Sequence, residues 1–441
     1  MNIMLLFDSS ADYDWSLFVL KLSYRMKTIG VKIMAKITLS DIKRTYQEIQ
    51  SSVINTPFNF SDQLSQLCGC DVYLKYENLQ HTASFKARGA LADMQRLSAV
   101  QKTRGIIAMS AGNHAQAVAY HARRLNIPTT IVMPEFTPNV KIEATRAYGA
   151  NIILHGQLLD DSAIFAKNMA KEKGLYVIHP YDNLNIIMGQ GSIALELLAV
   201  QPDIDAIIVP IGGGGLIAGI AIAAKSIKPS IKVYGAQTTT FPTMYAALRD
   251  EKITCGAMTI AEGIAIKKPG ELTTPFVEQY VDDIFLVEET AIEKAILSLL
   301  KFEKTSVEGA GAASAAALIK NKAHFSQKKV ALILSGGNID LFNLSTIIQR
   351  SLVRSYRLVR LNIRCHDFPG SLAQITQVIA QSKANIIEIS HQRAFSNIPL
   401  QDVEINLTLQ IRGKAHLEEI IQYLHAVDLN DVEIIDKLEA F

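Results

Sequence analysis

The sequence predicts an α/β protein with an open, mainly parallel sheet, followed by a smaller α+β domain. Between about residues 70 and 340, short runs rich in β-branched residues, such as GIIAM, TTIVM and DAIIVP, alternate with longer segments of helical spacing. Most of these runs are continuously apolar, which is typical of strands buried on both faces of a parallel sheet. The remaining residues show the order strand, helix, strand, strand, helix, strand, which is the ferredoxin-like pattern.

Length and composition indicate a large globular protein. The chain has 441 residues, with 44 lysines and arginines against 42 aspartates and glutamates, so its formal net charge is +2. This balance gives no reason to expect a nucleic-acid surface or a polybasic membrane patch. Hydrophobic residues make up 49% of the chain and charged residues 20%, which excludes a disordered polymer.

The four cysteines form neither a disulfide framework nor a zinc-ligand pattern. Cys68 and Cys70 are one residue apart and the other two are isolated, so we expect free thiols in a reducing, cytoplasmic compartment. The uncharged residues 206–224 are numerous enough to span a membrane. They contain Pro210 and a run of glycines, however, and therefore predict a strand, a loop and a helix start instead.

Residues 1–35 are predicted to be an N-terminal extension that is non-native or disordered. Aspartates rather than basic residues precede its apolar patch LFVLKL, so no secretory signal is indicated. Met34 opens a segment that reads as a natural start, with Ser40 as the N-cap of the first helix. We expect the core domain to cover residues 36–345 and the C-terminal domain residues 346–441.

The elements of the C-terminal domain can be assigned individually, after a junction near Arg350–Tyr356. The fourth of them follows a hairpin-like turn around Asn397–Pro399. In chain order the predicted elements are strand 357–364, helix 370–382, strand 386–394, strand 403–410, helix 416–426 and strand 431–436.

A run of four glycines indicates an anion-binding loop. It lies between a predicted strand over 205–211 and a predicted helix that starts at Leu216, and it consists of Gly212, Gly213, Gly214 and Gly215. Such a loop lets backbone N–H groups approach an anion, and the helix dipole adds to the attraction. No acidic residue follows between Lys225 and Arg249 to bind a ribose, and no P-loop is present. A single terminal phosphate fits the loop best.

Two further loops and one lysine predict a cofactor site. Lys86 is expected at a helix start, where the dipole disfavours an ammonium, so we expect an amine of lowered pKa that suits a Schiff base. The loop 110–114 follows the strand GIIAM and suits a carboxylate, while the loop 335–338 follows KVALIL. All three loops therefore come after strands, at the edge where open parallel sheets bind ligands.

Four motifs in this order, TASFKARGA, SAGNHAQA, GGGGL and SGGN, resemble the fold-type II pyridoxal-phosphate enzymes of the tryptophan-synthase-β type. Within them the chain is similar to the threonine dehydratases, or threonine ammonia-lyases, over about residues 36–345. The resemblance implies two open, mainly parallel sheets, with a small subdomain over about residues 80–175 inserted in a larger one. It also implies pyridoxal 5'-phosphate as the cofactor.

The resemblance also implies residue roles. Lys86 would carry the cofactor and move the Cα proton, as the catalytic residue. The other residues implied to touch the cofactor are Phe85, Asn113, Gly212–Gly215, Leu216, Glu308 and Ser335. The residues implied to bind the substrate are Ser110, Ala111, Gly112, Asn113 and His114.

The implied reaction is deamination of L-threonine to 2-oxobutanoate and ammonia by β-elimination of water, with L-serine as a further substrate. The alternatives are an L-serine or 3-hydroxyaspartate dehydratase and a non-catalytic amino-acid sensor. Ala111 stands where related serine racemases have a serine acid, which disfavours racemisation. Gln237 stands where some relatives have a metal-binding glutamate, so we expect no Mg²⁺ or Mn²⁺, and a monovalent ion is left open.

The C-terminal stretch resembles an ACT domain, a small regulatory module that often binds amino acids. Its motif HDFPG includes Asp367 and Gly370, near which we expect isoleucine or valine to bind. Because one such unit usually needs a partner unit, we expect a homodimer or homotetramer. Neither a nucleic acid nor a membrane is expected as a partner.

Overall fold

The structure is a computed structural model that describes residues 36–393 and 398–435. The predictions for the N-terminal extension, and for the tip of the turn at Asn397, lie outside these residues. So do the last predicted residues of two strands, Ala394 and Asp436.

The described residues form fourteen strands. In chain order they are β1 Phe58–Phe60, β2 Asp71–Lys75, β3 Ile106–Met109, β4 Thr129–Met133, β5 Asn151–Leu154, β6 Tyr176–Val177, β7 Ala206–Pro210, β8 Lys232–Thr238, β9 Asp283–Val287, β10 Lys329–Ile333, β11 Leu358–His366, β12 Asn385–Gln392, β13 Asp402–Gln410 and β14 Asp431–Ile434.

They also form sixteen α-helices. In chain order these are α1 Leu39–Ile49, α2 Asp62–Cys68, α3 Lys86–Gln95, α4 Ala99–Arg104, α5 Asn113–Arg124, α6 Asn139–Arg146, α7 Leu159–Lys173, α8 Leu184–Val200, α9 Gly215–Ile227, α10 Thr243–Ala247, α11 Thr273–Tyr280, α12 Glu289–Phe302, α13 Gly309–Lys320, α14 Leu341–Arg354, α15 Ser371–Gln381 and α16 Lys414–His425.

Two open sheets make up the core domain, as predicted. The larger has the strand order β1-β2-β10-β7-β8-β9, and all of its pairs are parallel except β1 with β2. The smaller has the order β5-β4-β3-β6 and is entirely parallel. The central strand β7 is buried along its whole length, which agrees with its continuous apolar sequence.

Three local details differ from the sequence prediction. The edge strand β1 is not predicted, because it has only three residues and two of them are exposed. The edge strand β9 is also absent from the prediction, although its residues 284–287 are continuously apolar like those of the predicted strands. Ser40 is not the N-cap of the first helix. Thr38 takes this place, because its hydroxyl accepts a hydrogen bond from the Asp41 amide and the Asp41 carboxylate accepts one from the Thr38 amide.

The C-terminal domain has the predicted β-α-β-β-α-β order. Its antiparallel sheet has the order β12-β13-β11-β14. Alternate residues of β11 and β13, such as Leu361 and Leu407, are buried against apolar residues of the two helices, such as Ile375 and Ile420. The sheet therefore buries one face and leaves the other polar, as antiparallel sheets commonly do.

Helix α14 lies between the two domains in sequence. It covers the predicted boundary between residues 345 and 346, and its end falls within the predicted junction at Arg350–Tyr356. Ile347 packs into the core of the larger sheet, while Arg350 and Arg354 each form an ion pair with Glu293 on α12. The helix is thus attached to the core domain by apolar and ionic contacts.

A buried ion network fixes the start of α3. The Arg88 guanidinium lies 2.8 Å from the Glu77 carboxylate and 2.7 Å from the Glu196 carboxylate. The Lys75 ammonium lies 2.6 Å from the other oxygen of Glu196, and no more than 2% of any of these four side chains is exposed. The two buried cations therefore neutralise the two buried anions. These ion pairs link the region of β2 to α3 and α8.

None of the helices formed by the described residues has the length and apolarity needed to cross a bilayer. All four cysteines, which lie within these residues, are free thiols, as predicted.

Replacing Arg88 by methionine tests the network. The change leaves two buried carboxylates with one cation, and breaking a buried pair in this way costs about 3–5 kcal/mol. We expect a loss of this size in the free energy of unfolding, measured by denaturant titration. The control Arg44→Met removes an exposed pair with Asp41 and should cost less than about 1 kcal/mol. Equal effects of the two changes would contradict a structural role for the network.

Candidate active site

The three loops singled out in the sequence each follow a strand directly. Ser110 follows β3, Gly212 follows the end of β7 by one residue, and Ser335 follows the end of β10 by one residue. The first loop belongs to the small sheet and the other two to the large sheet. Side-chain and backbone contacts join them into one site.

The segment before Lys86 is fixed against the Ser335 loop. The Phe85 amide donates to the Ser335 carbonyl at 3.1 Å, and the Gly337 amide donates to the Ala83 carbonyl at 2.9 Å. Thr82 and Ala83 have positive φ angles of 57° and 55°, which non-glycine residues rarely adopt. This tight, hydrogen-bonded turn makes Lys86 the first residue of α3.

The Lys86 amine is held in the interior of the site. Its Nζ donates to the carbonyl of Pro180 at 2.8 Å and lies 5.0 Å from the centroid of the Phe85 ring. Burial lowers the pKa of Lys86 to about 8, and the Glu308 carboxylate opposes this shift. The predicted direction is therefore found, but its main cause is desolvation.

Asn113 and Glu308 form the second part of the site. The Asn113 Nδ2 donates to the Glu308 Oε1 at 2.6 Å, while the Asn338 Nδ2 donates to the Asn113 Oδ1 at 2.6 Å. Burial raises the pKa of Glu308 to about 7, and the hydrogen bond from Asn113 opposes the rise. Glu308 can consequently donate or accept a proton near neutral pH.

The glycine loop is closed from the outside by an aromatic side chain. A Cβ atom on Gly213 would lie 2.3 Å from the ring of Tyr181, and one on Gly215 would lie 2.8 Å from its carbonyl oxygen. Gly214 has a φ of 96°, and the Thr273 hydroxyl donates to the carbonyl of Gly213 at 2.5 Å. Only glycine fits here, and the loop leads directly into the N-terminus of α9.

Some predicted residues act through their backbone or as packing. The Leu216 side chain lies in the hydrophobic core, so only its amide is available to the loop. His114 is buried, and its Nε2 lies 3.0 Å from the carbonyl oxygen of Ile178. Burial lowers the pKa of His114 to about 3, so the ring is neutral and anchors α5. The Ser110 hydroxyl accepts from the Gly112 amide at 3.2 Å, which shapes the loop before that helix.

Sequence reasoning missed the segment that follows β6. His179 Nδ1 accepts from the Asp182 amide at 2.8 Å, and the Asp182 carboxylate accepts from the amides of Leu272 at 2.9 Å and Thr273 at 3.2 Å. This segment supplies the carbonyl that holds Lys86 and the ring that closes the glycine loop. Its sequence HPYDN could have indicated it, since it too comes after a strand and is polar.

The end of β8 is organised by a carboxylate. Glu289 accepts hydrogen bonds from the hydroxyls of Thr238 at 3.0 Å and Thr259 at 2.6 Å, and from the Ile260 amide at 2.7 Å. Gln237 is buried, and its side-chain oxygen accepts from the Tyr245 amide at 3.0 Å. Among residues 36–393 and 398–435, no group of three or more histidine, cysteine, aspartate or glutamate side chains could hold a metal ion.

The predicted effector loop lies after β11. The Arg393 guanidinium donates to both oxygens of Asp367, at 2.6 and 2.8 Å, and this pair lowers the pKa of the Asp367 carboxyl. Gly370 has a φ of 105° and caps α15. The two residues thus shape an exposed turn far along the chain from Lys86.

Comparison with known proteins agrees with this architecture. Residues 49–336 match the family described as pyridoxal-phosphate dependent enzyme, and residues 355–432 match the ACT domain. Fold and site therefore define a pyridoxal-phosphate enzyme of fold type II, and the chain belongs to this family, with an ACT domain at its C-terminus.

Within the family, the chain is similar to threonine ammonia-lyases. The L-threonine ammonia-lyase of Thermotoga maritima is 42% identical over 393 residues, or 88% of this chain and 98% of that protein. The structure of a processed threonine deaminase isoform from Solanum lycopersicum has a TM-score of 0.66 and 32% identity, covering 73% of this chain and 92% of that one. Serine racemase from Dictyostelium discoideum has a TM-score of 0.65 and 36% identity, covering 70% and 100%.

The residues present fit the cofactor of the family. The Lys86 amine, with its lowered pKa, can condense with an aldehyde. The glycine loop has no room for Cβ atoms and offers backbone N–H groups to a phosphate. The Phe85 ring lies 5.0 Å from the Lys86 amine, and the hydrogen-bonded pair of Asn113 and Glu308 offers polar groups to the cofactor ring. Pyridoxal phosphate needs these three kinds of contact, and the cofactor of this chain is pyridoxal phosphate.

The lowered pKa of Lys86 predicts the pH dependence of cofactor uptake. Only the neutral amine attacks the aldehyde, so the rate of uptake by cofactor-free protein should rise as the pH increases through about 8 and then level off. The rate of cofactor uptake is followed by absorbance at each pH. The same measurement on a free lysine derivative, whose pKa is about 10.4, gives the reference midpoint.

Glu308→Gln sharpens this test. The change removes the carboxylate that raises the pKa of Lys86. The midpoint pH of cofactor uptake should therefore fall. The control Glu271→Gln changes an exposed residue and should leave the midpoint in place. A wild-type midpoint equal to that of the free lysine derivative would contradict the assigned environment of Lys86.

Proposed function

We propose that the chain catalyses the pyridoxal-phosphate-dependent deamination of L-threonine to 2-oxobutanoate and ammonia by β-elimination of water, and that it also acts on L-serine. The observation that carries this proposal is the Lys86 amine, held with a lowered pKa among the three loops. The similarity to threonine ammonia-lyases over most of the chain supports the choice of threonine.

In this proposal Lys86 carries the cofactor, with the Phe85 ring beside it. Asn113 hydrogen-bonds the polar edge of the cofactor ring, and Glu308 fixes the orientation of Asn113. The amides of the glycine loop and of Leu216 bind the phosphate, and Ser335 faces the ring nitrogen. The hydrogen bonds from Asn113 to Glu308 and from Asn338 to Asn113 support these roles, because they orient the Asn113 amide.

Bound pyridoxal phosphate supplies an aldehyde that condenses with amines and a ring that accepts the electron pair left on Cα. The amides of Ser110–His114, at the start of α5, bind the substrate carboxylate. Lys86, once released as a free amine, takes the proton from Cα. Its lowered pKa keeps part of the amine neutral near pH 8, as this step requires. Burial of the site excludes bulk water while the β-hydroxyl departs.

Particular residues disfavour the alternative functions. A racemase needs a second acid on the opposite face of Cα, and Ala111 has no ionisable group. A non-catalytic sensor would not need the Lys86 amine and the glycine loop together. The choice between threonine, serine and 3-hydroxyaspartate depends on the substrate's β-substituent, and here the similarity to threonine ammonia-lyases decides the proposal.

We propose in addition that the ACT domain regulates the enzyme by binding isoleucine or valine near Asp367 and Gly370. In this proposal the chain is a homodimer or homotetramer of the cytoplasm, and the free cysteines support a reducing compartment. In this proposal residues 36–345 form the catalytic core and residues 346–441 the regulatory domain.

Replacing Lys86 by alanine tests the reaction. Purified wild-type protein should release a keto acid from L-threonine, and Lys86→Ala should lose at least about a thousandfold in rate because proton transfer is abolished. Lys252→Ala, an exposed lysine, should keep full activity. Cofactor-loaded wild type without any product from threonine, serine or 3-hydroxyaspartate would contradict the proposed function.

The regulatory proposal is tested by calorimetric titration of the whole protein with isoleucine and valine. We expect saturable binding of at least one of them, weakened about tenfold or more by Asp367→Asn, because a hydrogen-bonding charge is lost. The control Asp160→Asn changes an exposed aspartate in the core domain and should leave binding unchanged. Wild-type protein that binds neither amino acid would overturn this assignment.

A further inference from the structure

A basic cavity lies at one end of the C-terminal sheet. Its volume is about 440 Å³, and the residues that line it are Arg357, Lys383, Asn385, Gln410, Ile411 and Arg412. None of these residues belongs to the catalytic loops or to the Asp367–Gly370 turn.

Strand register brings the lining residues together. Leu358 and Asn385 both pair with Gln410, so the starts of β11 and β12 meet the end of β13. Lys383 lies in the turn just before β12, with a φ of 61°. Residues far apart in sequence therefore share one end of the sheet.

The cavity carries more positive than negative charge. Arg412 forms an ion pair with Glu419 at 3.7 Å, whereas among the described residues no carboxylate forms a salt bridge with Arg357 or Lys383. By contrast, Arg364 near the opposite end of β11 donates to the Glu404 carboxylate at 3.1 Å. Three cations around one cavity repel one another, and a bound anion would offset that repulsion.

We propose that this cavity binds a small organic dianion, either a phosphate monoester or a dicarboxylate. Two guanidinium groups and one ammonium supply the charge-assisted hydrogen bonds that such oxygens accept. The side chains of Asn385 and Gln410, whose amide groups are 3.4 Å apart, add neutral donors and acceptors. The volume is in the range of small-molecule sites.

The cavity is connected to the catalytic domain through Arg357 and helix α14. The Arg357 amide donates to the Leu352 carbonyl of α14 at 2.8 Å, and its carbonyl accepts from the Ile411 amide at 3.0 Å. Arg357 thus joins the cavity to the helix that is ion-paired to the core domain through Glu293. The Asp367–Gly370 turn lies at the other end of β11, roughly 25 Å away along the strand. A dianion here is therefore an effector separate from the proposed amino acid.

The site is tested by calorimetric titration of the full-length, cofactor-loaded protein with three probes. These are inorganic phosphate, glycerol phosphate and succinate. We expect saturable binding of at least one organic probe, weakened by added salt because the contacts are ionic. Tighter binding of glycerol phosphate than of succinate would identify a phosphate monoester, and the reverse order a dicarboxylate.

The double variant Arg357→Gln with Lys383→Gln should weaken binding at least about tenfold. The control Arg364→Gln removes a cation of the same strand outside the cavity and should keep wild-type affinity. Unchanged circular dichroism and basal keto-acid production would show that the variants fold. Absence of saturable binding to wild type, or equal affinity of the double variant, would overturn the proposal. Because binding is measured directly, this outcome is independent of whether threonine is the substrate.

Discussion

The buried contact between Arg88 and two carboxylates is the constraint on which the catalytic half depends. A guanidinium removed from water must keep its partners, since breaking one pair leaves an uncompensated charge. Glu77 lies after β2 and Glu196 lies on α8, so the pairing fixes three elements relative to one another. Lys86 lies two residues before Arg88 on the same helix. The position of the reactive amine is thereby set by electrostatics in the core as well as by the turn that precedes it.

Hydrogen bonds between loops join the site, in addition to those that shape each loop. The Lys86 turn binds the Ser335 loop, Asn113 links Glu308 to Asn338, and the Tyr181 segment joins the glycine loop to α11. Each loop comes from a different strand end, and polar groups there cannot pair within their own sheet. Their mutual pairing satisfies several of the buried donors and acceptors and holds the loops together, although the hydroxyls of Thr82 and Ser84 have no partner.

Burial shifts the pKa values of Lys86 and Glu308 in opposite directions, each toward neutral pH. It lowers the pKa of Lys86 to about 8 and raises the pKa of Glu308 to about 7, because the charged form of each is poorly solvated. Attraction between the Lys86 ammonium and the Glu308 carboxylate favours the charged form of each group. This attraction is weaker than the effect of burial. The Lys86 amine is therefore partly neutral near pH 8 and available as a base.

The sequence by itself determined the fold class, the order of the domains and the strand-end loops, because these follow from apolar periodicity and from glycine and polar residues that recur after strands. The glycine loop is predicted for the same reason, whereas the role of Lys86 is predicted from the resemblance of its motif TASFKARGA to the family. Only the tertiary structure decided that Thr38 rather than Ser40 caps the first helix, that Tyr181 closes the glycine loop, and that desolvation lowers the pKa of Lys86. It also brought Arg357, Lys383 and Arg412 around one cavity. Most of these features depend on distances between residues remote in sequence. The helix cap depends on which of two hydroxyls, two positions apart, reaches an amide, and the local pattern does not decide between them.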